Sequence, residues 1–79
     1  MKFILYNDEI INCKEIQHMK YDKTNIYMTF YSLKKCVIRH HNESEISQLF
    51  FYIHWFLEHD KETLFDIQHH IDERFTKLN

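Results

Sequence analysis

The stretch that decides the fold is Cys36–Leu57, CVIRHHNESEISQLFFYIHWFL, because its periodicity changes partway through. Cys36, Ile38 and His40 alternate with Val37, Arg39 and His41, the two-residue repeat of a strand. Beyond it Ile46, Leu49, Phe50, Ile53 and Leu57 recur at helical spacing. The switch falls at Asn42, whose side chain suits a helix N-cap. With Glu45 three residues on, it forms the pattern of a capping box. Phe51, Tyr52, Trp55 and Phe56 fill most of the remaining circumference. A helix apolar nearly all round needs covering on more than one side.

Upstream of this stretch the chain reads as short strands joined by Asn and Asp. Phe3-Ile4-Leu5-Tyr6 and Glu9-Ile10-Ile11-Asn12 flank Asn7-Asp8, the pattern of a two-residue hairpin. Glu15 to Tyr21 is a third strand with ragged alternation, and Asp22 to Asn25 make the next turn. Ile26, Met28 and Phe30 then alternate with Tyr27, Thr29 and Tyr31. Downstream, Asp60 reads as a second N-cap with Glu62 in the first turn. Leu64, Ile67, Ile71, Phe75 and Leu78 form one helical stripe, and Lys77 suits the C-terminal turn. The expectation is one α+β domain over residues 1–79. An N-terminal antiparallel β-meander of four to five short strands precedes two C-terminal helices packed on the sheet.

The 79 residues include no Gly and no Pro, where average usage would give roughly nine or ten. Their absence excludes the P-loop, the dinucleotide-binding glycine turn and the nucleophile elbow, and no cofactor is implied. Cys13 and Cys36 lack zinc-ribbon spacing and read as small buried hydrophobes. No apolar run approaches the roughly 20 residues of a membrane-spanning helix, so the expected location is cytoplasmic, without membrane association. The net charge of −2 is unevenly placed, +3 over residues 1–42 and −5 over residues 43–79.

Four sets of residues carry candidate chemistry. The surplus aromatic face of the first helix, Phe51, Tyr52 and Trp55, suits a homodimer or protein-partner contact. Glu58, Glu62 and Asp66 would line one ridge if the helices ran on, and with Glu73 they supply an acidic strip for docking. Glu62, Asp66, His70 and Glu73, at spacings of four, four and three, are weak metal-ligand candidates on one helix face. A solvated polar face accounts for the same residues. Tyr27 and Tyr31, with Lys34, Lys35 and Arg39 nearby, offer a less favoured alternative: stacking on nucleic-acid bases while neutralising phosphates. No nucleophile, base and orienting group stand in a recognisable arrangement, so the expectation is not an enzyme.

The Phe3–Asn12 hairpin, the Tyr/Lys-rich meander and the Asn-capped aromatic helix together resemble the small orphan proteins of phages and other mobile elements, anti-CRISPR inhibitors among them. The resemblance lies in size, element order and Ile/Lys/Asn-rich composition. No diagnostic motif accompanies it, so it carries no functional residue across. It implies a compact, non-enzymatic, often dimeric inhibitor that blocks a host protein complex, such as a defence complex, by occupying a surface.

Overall fold

The computed structural model describes residues 1–40, 42–59 and 61–74. Strands β1 (Phe3–Tyr6), β2 (Glu9–Asn12), β3 (Ile16–Tyr21), β4 (Asn25–Phe30) and β5 (Lys35–Arg39) come first. Helix α1 (Glu43–Glu58), strand β6 (Leu64–Asp66) and helix α2 (Ile67–Arg74) follow. The fold is α+β with mostly N-terminal strands and C-terminal helices, as the periodicities predict.

Without glycine, the first two turns are made by Asn and Asp, the residues best able to replace it. Asn7 and Asp8 take φ of 52° and 63°, so both central residues of the β1–β2 hairpin are left-handed. At the next turn the Asp22 carboxylate accepts the backbone N–H groups of Thr24 and Asn25 at 3.2 and 3.1 Å. The ragged alternation of β3 has a local cause: its pairing with β4 shifts between Ile16 and His18.

The strands divide into two three-stranded sheets, ordered β2-β1-β6 and β3-β4-β5. This arrangement is richer than one continuous meander. Backbone bonds tie the pieces together: Cys13 N–H donates to the Lys2 carbonyl and Tyr31 N–H to the Glu15 carbonyl, both at 3.0 Å. The main departure from expectation is β6. Leu64 to Asp66, read as the start of a helical stripe, pair in parallel with Phe3 to Leu5. A strand slot beside β1 satisfies these backbone groups and buries Phe65, which outweighs the helical spacing of Leu64 and Ile67. Helix α2 therefore begins at Ile67, where the Asp66 carboxylate accepts the His69 backbone N–H at 3.1 Å. Asp60, Phe75, Lys77 and Leu78 lie outside the described residues.

Helix α1 lies across β3 and β4, while α2 rests on β1 and β6. One apolar core joins the layers. It contains Ile26, Met28 and Ile38 from the second sheet, Ile46, Leu49, Ile53 and Phe56 from α1, and Ile4, Phe65, Ile67 and Ile71 from the other side. No described residue in the buried class is polar or charged.

The ends of α1 show how this chain satisfies helix termini. Asn42 Oδ1 accepts the Glu45 N–H at 3.1 Å, which is the expected N-cap. The Glu45 carboxylate points elsewhere, to His40 Nε2 at 2.6 Å, and so joins the helix start to the end of β5. At the other end no glycine is present to close the helix. The Lys2 ammonium instead donates to the carbonyls of Phe56, Leu57 and His59, at 2.6, 2.9 and 2.5 Å. A cation there also meets the negative end of the helix dipole.

Candidate functional site

Because α1 needs only one stripe for the core, Phe51, Tyr52 and Trp55 are left on its flank. They form one wall of an open groove of about 610 Å³. The opposite side comes from Phe65 of β6, from His70 and Arg74 of α2, and from Glu62 just before β6. Phe51 is 57% exposed and Trp55 43%, high values for such large side chains among the described residues. Phe56, buried in the core, meets Phe65 at a centroid distance of 5.5 Å and joins the groove lining to the core.

The aromatic rings hold one another in place. The Trp55 ring stacks on His59 at 4.5 Å with an interplanar angle of 17°. The Tyr52 ring packs 4.6 Å from His70, and the Arg74 guanidinium lies 5.2 Å from the Tyr52 centroid. His70 also meets Phe65 at 5.1 Å. Burial, followed by the nearby Arg74 and His69, lowers the His70 pKa from its ordinary value. Phe51 further contacts Phe50 and Tyr21, so aromatic surface continues from the groove towards the end of β3.

The acidic residues are distributed differently from the expected ridge. Glu58 stands on the solvent side of α1, 3.3 Å from His54. Glu62 lies on the groove, Asp66 caps α2, and Glu73 sits one turn along α2 from His69 at 4.0 Å. A continuous helical ridge is ruled out because α1 ends at Glu58 and residues 64–66 form a strand. The same break separates the four metal-ligand candidates Glu62, Asp66, His70 and Glu73 onto three segments. Among the described residues no three His, Cys, Asp or Glu side chains gather as a metal would require.

On the sheet face the nucleic-acid candidates are only partly assembled. The Tyr27 hydroxyl donates to Asp22 Oδ2 at 2.7 Å, and Lys20 Nζ lies 5.7 Å from the Tyr27 ring centroid. That hydrogen bond is the chief cause holding the Asp22 carboxyl below its usual range and raising the Tyr27 phenol. Tyr31 is 64% exposed, but it lies beyond the end of β4 in the turn before Lys34 and Lys35. Arg39 is exposed at the far end of β5, where its backbone N–H donates to the Tyr6 hydroxyl at 3.4 Å. Cys13 and Cys36 are free and half-buried, and burial raises both thiol pKa values.

Sequence reasoning placed Phe51, Tyr52, Trp55 and Glu62 at a surface site but missed Phe65, His70 and Arg74 as its other wall. The run Thr63-Leu64-Phe65 before an Asp N-cap was the available signal for β6. Among the described residues no helix is long and apolar enough to cross a membrane. Comparison with family models, curated proteins and solved structures yields no match.

Proposed function

We propose that this chain is a non-enzymatic protein-binding module that inhibits a partner by covering part of its surface, with the α1 groove at the centre of contact. One observation carries the reading: large aromatics, Phe51 and Trp55, stand exposed around an open groove. Aromatic anchors near the middle of an interface commonly dominate binding energy, and an exposed aromatic patch of this kind marks an interaction site. The resemblance of its element order and composition to small phage and mobile-element inhibitors is in keeping with it. So is the openness of the groove, which suits a partner's side chains better than an enclosed, water-excluding reaction site.

The test is affinity capture from native host cells, comparing wild type with a Phe51→Ser/Trp55→Ser double variant. A partner complex should be recovered with wild type and lost with the variant, whose circular dichroism stays native. Recovery of the same partner by both proteins would place the contact elsewhere. A second copy of the chain is the competing occupant. Sedimentation would reveal it as a dimer that the same double substitution dissolves.

A further inference from the structure

Building on the reading of the groove as a docking surface, we infer that it takes a cationic side chain. The ammonium or guanidinium of a Lys- or Arg-bearing partner segment takes the place of Arg74 at the Tyr52 ring, beside Trp55, with the Glu62 carboxylate as counter-ion.

The first support is geometric. The site already places a cation on an aromatic ring, since Arg74 lies 5.2 Å from the Tyr52 centroid. The aromatic wall also matches the two-part character of Lys and Arg: an apolar stem to cover Phe51 and a charged head to stay near water. The second support is electrostatic. The groove adjoins a shallower depression of about 360 Å³, and the two share Glu62, Phe65, His70 and Arg74. That depression adds Asp66, His69 and Glu73. The groove itself sets Glu62 against Arg74, and the adjoining depression adds Asp66 and Glu73, the latter 4.0 Å from His69, so carboxylates outnumber the guanidinium across the two; burial keeps His70 from offsetting them near neutral pH. An anionic segment reaching from the groove into the depression would meet this excess of like charge, whereas a basic one is drawn in.

Trp55 is the only tryptophan in the chain, so its emission reports on the groove directly. The probes are a short lysine-bearing peptide and versions with norleucine or glutamate at the same position. The lysine peptide should shift Trp55 emission at the lowest concentration, with norleucine about fivefold weaker and glutamate weaker again. Glu62→Gln should weaken lysine-peptide binding by about threefold to fivefold, and Arg74→Gln should strengthen it by a similar factor by removing the competing cation. Both residues are exposed, so native circular dichroism is expected in each variant.

Norleucine binding as tightly as lysine, glutamate binding most tightly, or Arg74→Gln weakening the lysine peptide would each overturn the inference. An unmoved Trp55 emission with every peptide would do the same. The first two outcomes leave the docking reading standing, because a ligand still occupies the groove. Failure of the docking reading shows itself separately, as partner capture that ignores the loss of Phe51 and Trp55.

Discussion

Leu33 holds φ at 70° in the turn between β4 and β5, with 79% of its surface exposed. A left-handed backbone costs an ordinary L-residue roughly 1–2 kcal/mol, whereas Asn pays less because its short side chain can bond locally. Leu33→Asn should therefore raise stability by about 0.5–1 kcal/mol, measured by urea denaturation. An unchanged midpoint would mean that Leu33 gains compensating contacts.

His70 makes a second residue-scale prediction. Its pKa is lowered in the fold, first by burial. Between that value and the unfolded value of about 6.5, the unfolded chain binds a proton that the folded chain does not. This contribution to stability is complete above the unfolded value and is lost as pH falls through the window. Melting temperature should fall between about pH 7 and pH 5 more steeply in wild type than in His70→Gln. Equal slopes would assign the acid sensitivity to other groups.

At the scale of elements, α1 and β6 follow different logic. Its apolar repeat, the Asn42 cap and the length of the run all make α1 readable from sequence. Its C-terminus is only partly local: His59 meets the Trp55 carbonyl through its backbone N–H and ring Nδ1, but the Phe56 and Leu57 carbonyls are met by Lys2, far away in the sequence. Replacing Lys2 by Met retains an apolar stem but leaves three carbonyls without the ammonium. The expected loss is about 1–2 kcal/mol, with early fraying at Leu57 to His59 in hydrogen exchange. Unaltered exchange there would show that water replaces the lysine at no cost. Strand β6 is the opposite case. Three residues carry too little periodicity to distinguish helix from strand, and the choice falls to the partner strand. Only β1, lying alongside with matching backbone groups, turns Leu64 to Asp66 into an extended segment.

At the scale of the whole molecule, the core and the exposed aromatic groove occupy opposite flanks of α1. Ile53 is fully buried in the shared core, while Phe51 is 57% exposed on the groove. Ile53→Ala should cost about 2–5 kcal/mol from lost burial and the cavity left behind, whereas Phe51→Ser should change folding stability by less than about 1 kcal/mol. Thermal denaturation of both variants checks the division. A large loss from Phe51→Ser would make the groove wall part of the core and weaken its assignment to binding.

The amino-acid sequence by itself determined the α+β class, the Asn and Asp turns, the start of α1 and the surplus of aromatic residues on that helix. These follow from signals spanning a few neighbouring residues: side-chain period, capping chemistry and tolerance of left-handed backbone. Tertiary structure alone decided the split into two sheets, the parallel β6, the Lys2 closure of α1 and the second wall of the groove. Each of these joins groups far apart in the chain, such as Lys2 with Phe56 or Phe3 with Leu64. Local sequence cannot encode such a pairing, because its free energy is realised only when chain collapse brings both partners together.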